Sequence, residues 1–357
     1  MKKLSGKRFR IVLSALVVAS ALALTACGGG SSSGGGSSSG EGSSGADGAK
    51  YVIKLGNIGT NATAVDPITV GIEKGFFAEE GIEIEDLGEV DVLQNVALIE
   101  SGSVDAALVM ESDIVAAVDV GADIVEVAVG MAVSEEKPHM AYVVREDSPL
   151  QKGDSLVGYK IGLTGLNGCN LGFLYEYAAQ NGVADPASEL DVISSAFPAL
   201  LESLRGGDLD LIGLHGTTNE EVIKRIYPEF RVLFTDYDFA QDRAGDIAWI
   251  VRRPWAEDDP ARTAAFVAAV GKSNNFVNEN YDEALEIYRS VAKTELNDEL
   301  FSTPYFAPDG LIVESHVQYW IETLTKPDSF QPLQNNDIVY DQVATNKYNP
   351  NSDEFEG

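Results

Sequence analysis

From Lys50 onward, short apolar runs alternate with longer amphipathic stretches, the pattern of strands in a parallel sheet covered by helices. Strands are expected near 51–55, 82–87, 104–109, 124–129 and 141–144. A second series is expected near 160–164, 190–193, 209–214, 231–234 and 247–251. Asp91 can cap a helix whose apolar positions Leu93, Val96, Ala97 and Ile99 fall mostly on one side, with Gly102 ending it. Ser112 can cap the next, with Ile114, Val115 and Val118 inward and Gly121 as its stop. The last third reads mainly as helix over 260–281, 282–293 and 313–324, with Asp259 as a cap, Pro260 in the first helical position, and Tyr319 and Trp320 as packing residues. The acidic tail after Pro350 is expected to fray.

An internal echo accompanies this pattern. GSVDAALV at 102–109 is matched by GDLDLIGL at 207–214, each after a helix and before a loop rich in small polar residues. Two copies of helix, glycine stop, strand and polar loop suggest two similar α/β lobes.

The start of the chain is different. Five basic residues and no acidic ones lie within 1–26, around an apolar run at 11–24 that is shorter than the ~20 residues a bilayer-spanning helix needs. This reads as a secretory signal. Residues 24–27 spell LTAC, which resembles the bacterial lipoprotein box, and that resemblance implies lipidation of Cys27 after removal of 1–26. Residues 28–49 are almost wholly Gly and Ser and offer nothing to bury, so 27–49 is expected to be a flexible tether to the outer face of the cell membrane or into the periplasm.

Charge narrows the functional classes. The whole chain has 25 basic and 56 acidic residues, and beyond residue 26 the balance is 20 against 56. Such a polyanion gains no counterion release from nucleic acid, so nucleic acid is excluded as a partner. Once Cys27 is lipidated only Cys169 remains, which excludes a cysteine framework, and His139, His215 and His316 are far apart in sequence. No metal and no cofactor are expected. A nucleophile elbow, a phosphate loop and a paired catalytic constellation are likewise missing, and GLTGLNG lacks a glycine of the dinucleotide fingerprint. The chain is therefore read as a binder, not an enzyme.

Four strand-to-helix junctions are small and polar. Gly59, Thr60 and Asn61 follow the first strand, and Met110, Glu111 and Ser112 follow Val109. Thr164, Gly165, Leu166, Asn167, Cys169 and Asn170 open the second half, and His215, Gly216 and Thr217 follow Leu214. In open α/β sheets ligands sit beyond the carboxyl ends of strands, where helix N-termini present unpaired N–H groups. If these loops converge they could hold a small anion, whereas Glu111 in the cleft would favour a ligand with a donor group. Cys169 reads as a packing or weak contact residue.

GIEKGFFAEEGIEIE at 71–85, the stretch 97–124, REDSPLQKGDSLVGYKIGLTG at 145–165 and LLESLRGGDLDLIGL at 200–214 together resemble the nitrate, sulfonate and taurine type of substrate-binding protein of ABC importers, over roughly residues 50 to 290. The resemblance extends to binders of a thiamine pyrimidine precursor. It implies the type 2 periplasmic-binding fold, an α/β fold of two lobes with a hinge and an interlobe ligand cleft. On this reading 50–145 with 244–357 form one lobe, 146–243 form the other, and hinges lie at 143–146 and 241–246. The implied function is capture of a sulfonate, taurine, nitrate or related small molecule by a monomer that delivers it to an ABC permease and its ATPase. A lipoprotein feeding a signalling receptor, or a binder of a pyrimidine precursor or aromatic acid, is the alternative. The synthase of the thiamine pyrimidine shares the fold, but its cysteine-rich run is missing here.

Overall fold

The computed structural model describes residues 50–356 apart from 167, 216–219, 244, 246, 299, 300, 328 and 336. The signal segment 1–26, Cys27, the tether, Asn167, Gly216 and Thr217 lie outside the described residues. Among the described residues no helix is long and apolar enough to cross a membrane.

In chain order, the elements that carry the architecture begin with β1 (Tyr51–Leu55), α1 (Pro67–Lys74), β2 (Ile82–Asp86), α2 (Asn95–Glu100), β3 (Ala106–Met110), α3 (Glu111–Asp119) and β4 (Ile124–Ala132). A second group comprises β5 (Met140–Arg145), β6 (Lys160–Leu163), α4 (Gly168–Gln180), β7 (Asp191–Ser194), α5 (Phe197–Gly206), β8 (Leu211–His215) and β9 (Phe230–Thr235). The chain then forms β10 (Ile247–Arg252), α6 (Pro260–Glu279), α7 (Tyr281–Val291), β11 (Tyr305–Phe306) and α8 (Glu314–Thr325). All the expected strands are present, with ends that differ by at most two residues except for β4, which runs three residues further to Ala132.

The strands form two extended sheets. One has the order β7-β6-β8-β5-β9. The other has β11-β4-β10-β3, and β1, paired in parallel with β2, joins its edge where Asp105 N–H donates to the Lys54 carbonyl at 3.0 Å. The sheets are mixed, not parallel as the alternation of runs suggested: β10 is antiparallel to β3 and β4, and β5 is antiparallel to β8 and β9. β5 and β10 are reversed because the chain crosses from one sheet to the other after β4 and back after β9, and its first strand after each crossing enters the middle of the new sheet, while the short β11 also runs antiparallel to β4 at the sheet's edge. β5 is therefore part of the second sheet, not of the first lobe to which the sequence pattern assigns 50–145. Val143, Val144 and Arg145 pair with β9, with Val143 and Val144 fully buried, so 143–145 form a sheet interior instead of a hinge.

Local signals account for the helix ends. The Asp66 carboxylate accepts from the N–H groups of Ile68 at 3.1 Å and Thr69 at 3.3 Å, Pro67 takes the first helical position, and Gly75 closes α1 in the left-handed region at φ 83°. Asp259 caps α6 through Arg262 N–H at 3.1 Å. Three local expectations fail. Leu93 is 86% exposed, because Val92–Gln94 is a short 3₁₀ turn and the α-helix starts only at Asn95. Ser112 caps nothing: α3 begins one residue earlier, and its hydroxyl is buried inside the first turn. The tail does not fray at residue 350, since Asn349 is fully buried and Glu356 N–H returns to the Lys347 carbonyl at 3.0 Å.

The largest core is continuous between the sheets. It joins Ile114 and Val115 of α3 to Phe173 and Leu174 of α4 and to Val317, Trp320 and Leu324 of α8. Trp320, 1% exposed, lies 5.4 Å from the Phe173 ring, so the last long helix packs on elements of both halves. Tyr319 and Trp320 are packing residues, as expected.

Candidate functional site

A cavity of about 650 Å³ opens between the ends of the two sheets. Most of its wall comes from the first sheet. Leu108 of β3, Gly130 and Met131 of β4, and Ile247 and Trp249 of β10 form the apolar base, while the loop after β1 supplies Asn57, Thr60, Asn61 and Asp66. The second sheet contributes Thr164 after β6, Phe197 at the start of α5, and His215 at the end of β8.

Glycine shapes the base. A Cβ on Gly130 would come within 2.7 Å of Leu108 Cδ2 and 3.2 Å of Trp249 Nε1, so only the bare backbone lets β4 lie this close to the indole. Trp249 is held from behind by Phe266 of α6, edge-on at 5.5 Å. The polar loop is fixed from the opposite side, where the Tyr288 hydroxyl of α7 donates to the Asn61 carbonyl at 2.7 Å. Thr69 N–H and hydroxyl both donate to Asp66, and Gly59 N–H donates to the Thr69 hydroxyl at 2.8 Å. Burial raises the Asp66 pKa, against the lowering effect of these donors. Burial lowers that of His215, which favours the neutral imidazole.

Asn95 is the most telling side chain of the wall. Its amide donates to the Leu108 carbonyl at 2.9 Å, which fixes the amide orientation. Its carbonyl oxygen is then buried with no hydrogen-bond partner among the described residues. An acceptor left this way costs about 1–3 kcal/mol. Among the described residues no Lys or Arg lines the wall, and residues 167 and 216–219 are Asn, Gly, Thr, Thr and Asn in sequence. Lys137 donates to the carbonyl of the wall residue Pro304 at 3.4 Å without itself forming wall.

The structure brings Thr60, Asn61, Thr164 and His215 to this cavity. Gly59 stands just behind it through Thr69. Met110, Glu111 and Ser112 do not line it. Glu111 and Ser112 are fully buried in the first turn of α3, so Glu111 neither faces a ligand nor points to solvent. Gly165 and the half-exposed Leu166 stay outside the wall, and Asn170 reaches it only indirectly, by accepting from the Thr164 hydroxyl at 3.4 Å. Cys169 is 6% exposed in the core, and burial pushes its thiol up to about 12. Sequence reasoning missed Asn57, Asp66, Asn95, Phe197 and Trp249. Asp66 carried a readable signal, an acidic cap before Pro67, but only the fold shows which strands and helix starts share one hollow.

Two mixed sheets, joined by two crossings and with a cavity between their ends, define the two-lobed periplasmic-binding fold. The chain belongs to the NMT1/THI5-like family, whose sequence profile matches residues 62–284. It is 24% identical over 220 residues to the formylaminopyrimidine-binding protein of Halalkalibacterium halodurans, a match covering 61% of this chain and 64% of that protein. Among solved structures, the alkanesulfonate-binding protein of Xanthomonas axonopodis pv. citri superposes with a TM-score of 0.60 at 11% identity, over 82% of this chain and 98% of that one. The nitrate-binding protein of Synechocystis PCC 6803 superposes with a TM-score of 0.57 at 14% identity, over 83% and 86%. All three are named for what they bind and not for a reaction.

Proposed function

We propose that this chain is the solute-binding lipoprotein of an ABC-type importer and that its ligand is a small uncharged nitrogen heterocycle with N–H donors, of the aminopyrimidine kind. The observation that carries the ligand class is the composition of the wall: aromatic and aliphatic surface from Trp249, Phe197 and Leu108, neutral polar side chains on Asn57, Thr60 and Asn61, and no Lys or Arg among the described residues. A sulfonate or nitrate entering this cavity would lose its hydration with only neutral dipoles and the Asp66 carboxyl to meet it, and burying an uncompensated charge is costly. The pyrimidine alternative is therefore preferred to the sulfonate, taurine and nitrate classes that the sequence resemblance put first. The name of the Halalkalibacterium relative agrees with this choice.

Capture works by closure. The first lobe, 50–132 with 247–357, supplies most of the wall, and the second, 140–235, supplies Thr164, Phe197 and His215, so a ligand touching both favours the closed form. A lipid on Cys27 keeps the body at the membrane, where the closed monomer meets a permease.

A thermal-shift panel on the body from Lys50 onward tests the ligand class. Aminopyrimidines and their formylated forms are compared with taurine, an alkanesulfonate and nitrate. A ligand at 100 times its Kd adds ~2.7 kcal/mol of stability. Stabilisation by a pyrimidine but not by the anions is expected, and the reverse result would overturn the assignment.

A further inference from the structure

The histidines and the cysteine that sequence spacing kept apart meet in space. His139 ends the first crossing segment, Cys169 lies in the first turn of α4, and His215 ends β8, yet one ligand atom of each lies within 4.8 Å of the other two. His139 Nε2 is 3.4 Å from Cys169 Sγ, and the rings of His139 and His215 stand edge to face at 4.2 Å. Tetrahedral zinc, with Zn–N of about 2.0–2.1 Å and Zn–S of about 2.3 Å, sets its nitrogen and sulfur ligands about 3.5 Å apart. The His139 and Cys169 atoms already have this separation.

A thiol donating to an imidazole would explain that pair alone. It would not account for the third donor, His215, whose ring stands edge to face with that of His139. The backbone at this corner is held firmly, because the Asp236 carboxylate accepts from His139 N–H at 3.2 Å and Met140 N–H at 3.1 Å. The geometry points to a borderline-soft divalent metal site, fitted to Zn(II), with His139, Cys169 and His215 as ligands. His215 also lines the cavity, so water from that side completes the coordination. On binding, the Cys169 S–H bond breaks, its proton passes to water, and a sulfur–metal bond forms with no change of oxidation state.

Co(II) is the probe, titrated into the reduced full-length chain. One equivalent is expected to produce a thiolate-to-cobalt charge-transfer band in the near ultraviolet together with tetrahedral visible bands, and Zn(II) should displace both. Cys169→Ser abolishes the charge-transfer band. His215→Ala, at an exposed side chain whose one ring contact among the described residues is with His139, is expected to weaken uptake by at least tenfold, with circular dichroism checking that the fold is kept. No band in the native chain, or uptake unchanged in His215→Ala, overturns the site even if Cys169→Ser fails to fold. The readout needs no organic solute, so its failure is separate from failure of the pyrimidine assignment.

Discussion

The Asp105 carboxylate accepts the Lys54 backbone N–H at 2.8 Å, and Asp105 returns its own N–H to the Lys54 carbonyl at 3.0 Å. The same reciprocal pair recurs in the other sheet, where Lys160 N–H donates to the Asp210 carboxylate at 2.9 Å and Asp210 N–H to the Lys160 carbonyl at 2.9 Å. Asp105 and Asp210 are the matched aspartates of the two echoed segments. The echo extends to Arg252 and Arg145, whose guanidinium groups sit 3.6 Å from a Cβ placed on Gly102 and Gly207. The repeated segment thus marks the same strand junction in each lobe, β1 with β3 and β6 with β8.

Replacing Asp105 by Ala removes an ionised acceptor from a partly buried backbone donor, and such bonds are worth about 1.5–3 kcal/mol. A loss of about 1–2 kcal/mol is expected for Asp105→Ala, and a smaller one for the more exposed Asp210→Ala, read from urea midpoints. Equal midpoints for both variants and the native chain would contradict the role given to these pairs.

Gly271 lies inside α6, where Ala should gain ~1 kcal/mol of helix propensity. A Cβ there would stand 2.7 Å from the backbone oxygen of Asp309, which cannot rotate away. Overpacking costs about 1–3 kcal/mol, so Gly271→Ala is expected to lower the melting temperature despite its better propensity. A rise would show that the two backbones are not in contact.

Thr60→Val keeps the volume of the wall but deletes a hydroxyl at the cavity. For the pyrimidine ligand, calorimetry should show about a tenfold weaker Kd, matching ~1.4 kcal/mol for one lost hydrogen bond. An unchanged Kd would remove Thr60 from the ligand's partners.

Asp66 supplies a pH signature. Burial raises its folded pKa above the ordinary 3.8, so the folded state holds the proton more tightly than the unfolded chain. Its contribution to stability is complete below that value and is lost as pH rises through the raised pKa. Asp66→Asn should therefore show a smaller fall in stability than the native chain as pH increases from about 4 toward its raised folded value. Parallel melting curves across that window would disprove it.

The strands, most helices, the paired lobes and the family resemblance were legible in sequence because each rests on near-neighbour periodicity and on short signals such as Asp66 with Pro67 or Asp259 with Pro260. Tertiary structure alone decided what depends on packing between distant segments. It set the reversed strands β5 and β10 in the sheet middles, took Glu111 out of the cleft, and put Asn95 and Trp249 on its wall. It also gathered His139, Cys169 and His215 into one cluster. Chain spacing constrains neighbours along a helix or strand, whereas a cavity is bounded by whichever ends the folded sheets bring face to face.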